Sequence, residues 1–170
     1  MKLFTFRSFK QKLRYHKRAY LRLLSRLEKN PPKNIQSIVK EAGANVWDEV
    51  DCLACANCCK NMTPTYTEKD MKRIAAYLKM SVGEMKKKWL LKEKGTGDWI
   101  NNSTPCQFLD LKTNLCTIYE VRPADCANFP HLTKKKVVDY LYVYKQNVDE
   151  CPATFKMVEK MEEILKNGKK

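Results

Sequence analysis

Residues 52–59 read CLACANCC and hold four of the chain's eight cysteines. A Cys-x-x-Cys turn lets two thiolates converge on one ion, as in structural zinc sites. The extension Cys52, Cys55, Cys58 is also the spacing of iron–sulfur proteins. A lone cysteine is most often a small buried apolar residue, but four within eight positions make a ligand cluster. The region is therefore expected to be organised by a metal. Successive side chains of a strand point to opposite faces. The adjacent thiolates of Cys58 and Cys59 are on that ground expected to serve different centres, or one of them is not a ligand.

Downstream, Cys106, Cys116, Cys126 and Cys151 bring the total to eight, enough for two four-thiolate sites. One division places Cys52, Cys55 and Cys58 on a 4Fe–4S cluster, with Cys151 before Pro152 as the remote fourth ligand in a ferredoxin-like Cys-Pro context. Cys59, Cys106, Cys116 and Cys126 then form a zinc-type site. The sequence equally allows other divisions, so it implies zinc or iron in one or two centres.

A chain of 170 residues with 44% hydrophobic content and a mean hydropathy of −0.57 can build an ordinary core. Size alone does not demand cross-links, so the cysteines are read as chemistry. The first thirty residues carry charges throughout and lack the apolar run and cleavage site of a secretory signal. No later window is apolar enough to span a membrane. These features predict a cytoplasmic protein, where thiols stay reduced and cysteine patterns bind metal or catalyse more often than they pair as disulfides.

The net charge of +14 is concentrated at the start, where residues 1–29 carry ten Lys or Arg against the single Glu28. There Phe9, Leu13, Tyr20, Leu23, Leu24 and Leu27 recur at helical spacing, interrupted by His16. This predicts a basic amphipathic helix over 1–30, ended by Asn30-Pro31-Pro32. Its apolar face is expected to pack on the protein. Nucleic-acid phosphates or an acidic membrane surface are the less favoured partners of residues 1–29, and no protein partner is legible.

A short helix is expected through Ile35, Ile38 and Val39 to Gly43. Thr67 can cap a helix containing Met71, Ile74, Ala75 and Leu78. Ser81 and Glu84 form a capping box ahead of Met85, Trp89 and Leu90, and Gly95 and Gly97 break that helix. Residues 99–130 read as irregular loops and brief strands around a metal. Residues 137–144, rich in β-branched and aromatic side chains, read as a strand, and residues 152–165 as a final helix. The expected fold is mainly α, with helices around an irregular cysteine-rich metal-binding core and a short β-ribbon. Residues 31–170 are expected to form a single metal-binding domain with its motif core at 50–130.

Together with 105-PCQFLD-110 and 116-CTIYEVRPADCANFP-130, the cysteine run resembles the YkgJ-type cysteine-cluster family, with its CxxCxxCC signature. The resemblance spans about residues 50–130 and implies chelation of zinc or iron. The chain departs from the family pattern at Ala56, often Gly there, and at Ala127, often basic there. A larger relative, flagellin lysine N-methylase, shares the signature and implies an iron–sulfur redox or group-transfer enzyme as an alternative. The chain has no Gly-rich nucleotide loop, which argues against a complete methyltransferase. A zinc-stapled nucleic-acid module is the other alternative.

Arg122, beside Pro123, either offsets thiolate charge or pairs with Glu120 or Asp125. His131 could replace a thiolate ligand, although a packing role is favoured, and His16 has less claim. Neither histidine comes with the third residue that a Cys/His nucleophile needs for orientation.

Overall fold

The computed structural model describes residues 4–132 and 136–168. In chain order the elements are α1 (Phe6–Lys29), α2 (Ile35–Gly43), α3 (Val46–Glu49), α4 (Cys52–Cys55), α5 (Asn57–Asn61), β1 (Thr65–Tyr66), α6 (Glu68–Tyr77) and α7 (Val82–Trp89). There follow β2 (Leu90–Lys92), β3 (Trp99–Asn101), β4 (Leu109–Asp110), β5 (Leu115–Cys116), α8 (Ala124–Asn128), α9 (Leu141–Asn147) and α10 (Pro152–Asn167). The fold is mainly helical with small antiparallel ribbons, as expected. No described helix is long and apolar enough to cross a membrane. The chain forms two compact units, Met1–Cys55 with Pro130–Lys170, and Ala56–Phe129.

In the first unit, α1 packs against α9 and α10, and α2 and α3 pack against α10. The apolar face of α1 is buried through Phe9, Tyr20, Leu23, Leu24 and Leu27, so the favoured packing of the arm is what the structure shows. Phe155 of α10 receives this face, with ring centroids 5.5 Å from Phe9 and 5.0 Å from Tyr20. His16 lies exposed and stacks on Tyr20. Flanking lysines of α1 reach acids of the unit, Lys12 to Glu159 at 2.7 Å and Lys17 to Asp149. Lys156 bridges Glu49 and Glu159.

The expected strand at 137–144 is corrected. Val137–Tyr140 is a 3-10 turn that leads into helix α9. The reason lies in the burial. Val137, Leu141, Tyr144 and Val148 are at most 1% exposed, a helical spacing, whereas Val138 and Tyr142 face solvent. Tertiary packing of that face overrides the β-propensity of the side chains.

The second unit places a three-stranded antiparallel sheet, in order β1-β3-β2, beside α6 and α7. Its core is Tyr66, Met71, Ile74, Ala75, Met85, Leu90, Phe108 and Ile118, with Cys106 and Cys116 packed against it. Both expected caps are present. The Ser81 hydroxyl accepts from Glu84 N, and Thr67 caps α6 in a box completed by Asp70. Leu90 leaves the helix and opens β2, and Gly95 and Gly97 turn the chain back to β3 at φ 113° and 75°. From Gln107 onward the expected irregular segment contains the β4–β5 hairpin, which pairs Leu109 with Cys116.

Candidate metal centre

Hydrogen bonds tie the segments that carry Cys59, Cys106, Cys116 and Cys126 into the second unit. Cys59 is carried on α5, and its carbonyl accepts a hydrogen bond from Cys106 N at 2.8 Å, which fixes two distant cysteines side by side. Cys116 sits on β5, and Thr117 N donates to Phe108 O at 2.8 Å, so the hairpin holds Cys116 near Cys106. Cys126 lies on α8, which two residues of α6 hold in position. Asp70, 1% exposed, accepts from Ala124 N at 3.1 Å. Arg73 pairs with Asp70 at 2.7 Å and donates to the carbonyls of Val121 and Arg122. Asp125 accepts from Thr65 N of β1 at 3.0 Å.

The electrostatics of these thiols agree with this arrangement. Burial pushes the Cys126 thiol up, and Cys59, Cys106 and Cys116 push it further as they ionise. Burial likewise raises Cys106 and Cys116, and Cys59 acts on both. Backbone amides oppose the rise: Phe108 N–H and Leu109 N–H favour the Cys106 thiolate, and Ile118 N–H favours that of Cys116. The guanidinium of Arg122 also favours the Cys116 thiolate. Arg122 packs over the Tyr119 ring at 3.8 Å and donates to Tyr119 O. Neither Glu120 nor Asp125 is its ion-pair partner among the described residues, so of the two readings of Arg122 its charge acts on a thiol.

Cys58 and Cys59 lie on one helical turn of α5, not on a strand, with their sulfurs 4.0 Å apart. The Cys58 thiol donates to Cys59 and lowers its pKa to about 7 against the effect of burial. With zinc–sulfur bonds of about 2.3 Å, tetrahedral ligand sulfurs stand about 3.8 Å apart. The premise that alternation must separate the pair therefore fails, and one ion could take both.

In the first unit, Cys52 and Cys55 form the ends of α4, and Cys151 precedes α10. Cys151 is buried, which raises its pKa, and Cys55 adds to the rise. His131, at φ 63°, has its carbonyl bonded by the Tyr144 hydroxyl at 3.3 Å and its ring tilted against Tyr140, a packing environment.

Among the described residues, no three His, Cys, Asp or Glu side chains already stand in metal-holding geometry. The donor set nevertheless suits a soft cation. Cys106, Cys116 and Cys126 resist ionisation through burial and through repulsion from one another and from Cys59, and a bound cation relieves the repulsion while backbone donors already face two of the sulfurs.

Sequence reading missed the polar support of this cluster. Asn101, 2% exposed at the end of β3, accepts from the Tyr66 hydroxyl at 2.6 Å and from Gln107 Nε2 at 3.0 Å, both on Oδ1. These two hydrogen bonds to Oδ1 orient the amide, whose buried Nδ2 has no hydrogen-bond partner and favours the Cys106 thiolate. Residues that orient metal ligands typically contribute 10- to 100-fold in affinity. Asn101→Leu is accordingly expected to weaken metal binding by about 10- to 100-fold in competition with a chromophoric chelator.

Ala56, just before α5, adopts the left-handed conformation at φ 46° and ψ 19°. An L-residue is strained there by about 1–2 kcal/mol, against a smaller entropic cost of glycine in the unfolded chain. Ala56→Gly is expected to stabilise the protein by about 1 kcal/mol in denaturant titration.

The family model described as "CxxCxxCC: Putative zinc- or iron-chelating domain" matches residues 51–153. The uncharacterized protein MJ0661 of Methanocaldococcus jannaschii is 40% identical over 81 residues, which cover 47% of this chain and 43% of that protein. The chain thus matches less than half the length of this relative. No solved structure matches the chain.

Proposed function

The chain belongs to the CxxCxxCC family, and on that premise we propose that it binds a zinc-type ion through Cys59, Cys106, Cys116 and Cys126, with Cys58 beside them. The observation that carries this reading is the backbone hydrogen bond from Cys106 N to Cys59 O, with the β4–β5 hairpin holding Cys116 beside Cys106, and the influence of Cys59, Cys106 and Cys116 on the Cys126 thiol agrees with it. Bound there, the ion would tie α5, the β4–β5 hairpin and α8 together. Phe108, Leu109 and Ile118 amides and the Asn101 side chain would share the charge of the thiolates. Arg122 would offset part of the net charge of −2 that four thiolates on a divalent ion leave.

A second reading has iron in an iron–sulfur centre that draws on Cys52, Cys55 and Cys151 of the first unit. The action of Cys55 on the Cys151 thiol supports it. This centre is what a redox or group-transfer activity would need. Elemental analysis and an absorption spectrum of protein purified without oxygen separate the readings. Colourless protein with stoichiometric zinc supports the first, and absorption near 400 nm with iron and sulfide supports the second.

A further inference from the structure

Two groups stand out among the basic residues of α1. Lys12 and Lys17 flank the buried face, and acids of the same unit neutralise them. Arg14, Arg18, Arg22 and Arg26 lie opposite that face at four-residue intervals, and all four are exposed. No acidic side chain pairs with any of them among the described residues. Arg22 Nε donates to Arg18 O, and Glu28, the one acid of the helix, is occupied by Lys145. Arg7 is exposed on the same side, and Tyr15, next to the stripe, is 79% exposed.

Like charges four apart work against a helix, so intrahelical stability does not account for the row. A rise of 1.5 Å per residue spaces these guanidinium stems about 6 Å apart along about 18 Å of helix. That is a linear array of forked donors suited to a linear array of phosphates. A membrane surface fits less well. Lipid-bound amphipathic helices bury their apolar face in the bilayer, and here Phe9, Tyr20, Leu23, Leu24 and Leu27 are already buried in the protein. The exposed Tyr15 ring could stack on an unpaired base.

We propose that the solvent face of α1 binds the phosphate backbone of single-stranded nucleic acid, through Arg14, Arg18, Arg22 and Arg26 and without sequence preference. This surface is independent of the metal reading.

The test is fluorescence anisotropy of a labelled oligouridine of about twenty nucleotides titrated with the full chain at 50 and 200 mM salt. Four phosphate contacts give a log–log salt slope of about −2.8, so affinity should fall about 50-fold between those salts. The variant R14Q/R18Q/R22Q/R26Q should bind at least about tenfold more weakly at 50 mM salt and with a shallower slope. A control, K69Q/K72Q/K87Q/K94Q, removes equal charge from exposed positions of the second unit and should bind as the wild type does. The arginine-to-lysine variant at the same four positions keeps the charge and should retain the salt slope at lower affinity. Equal loss in both glutamine variants would reduce the effect to net charge and overturn the proposal. Binding to phosphatidylserine vesicles without binding to the oligouridine would also overturn it.

Discussion

Cys106→Ser is expected to lower affinity for the bound metal by more than about 100-fold, since supporting residues alone contribute 10- to 100-fold. Cys106 is central because its amide holds Cys59 and the N–H groups of Phe108 and Leu109 favour its thiolate. Serine keeps the shape but offers a hard, protonated oxygen to a soft ion. The same substitution at Cys151, which the first unit buries, is expected to leave the metal affinity of the second unit in place. Metal content and competition with a chelator check both outcomes. Equal loss in the two variants would contradict the assignment of Cys59, Cys106, Cys116 and Cys126 to one ion.

The second large effect belongs to a residue without a thiol. Asp70→Ala is expected to destabilise the protein by about 3 kcal/mol at neutral pH, the lower end for breaking a buried pair because Arg73 is partly solvated. The substitution strips acceptors from Thr67, Arg73 and Ala124 together, and it frees the segment that leads into Cys126. Burial alone would raise the pKa of Asp70, but hydrogen bonds from Thr67, Arg73 and Ala124 outweigh it and hold the carboxyl below its usual range. A carboxylate with a depressed folded-state pKa contributes stability above its unfolded value, about 3.9. That contribution disappears as pH falls through the lower folded value. The stability gap between wild type and Asp70→Asn should therefore hold from neutral pH down to about pH 4 and close below it. Denaturant titrations across that range check the sign.

These two residues also mark where sequence legibility ends. Helix α1, its proline stop, the Ser81 box and the start of α10 at Pro152 follow from local spacing and capping, and all were legible. So was the metal chemistry of the cysteines, because four thiols within eight residues have few other uses. Residues 137–144 were misread because their composition favours strand, while the decisive 137/141/144 spacing gains meaning only when another surface buries it. Local spacing leaves several divisions of the cysteines open, since it cannot say that Cys59 meets Cys106. Only the Cys106 amide and the hairpin do that. Asn101 carried no signal at all. It ends a three-residue strand, and its role depends on Tyr66, 35 positions earlier in the chain.

The central claim is that thiolates gathered from Cys59 to Cys126 meet around a cation that holds the second unit together. Structural zinc can contribute an apparent ~10 to 16 kcal/mol, comparable with the whole stability of a typical domain. The most direct measurement is amide hydrogen exchange on protein isolated under reducing conditions, before and after exhaustive chelation. The account predicts bound zinc or iron at the outset and, once it is removed, loss of protection across residues 56–129 with α1 and α10 largely unaffected. Protein isolated without metal, with residues 56–129 protected equally before and after chelation, would contradict it.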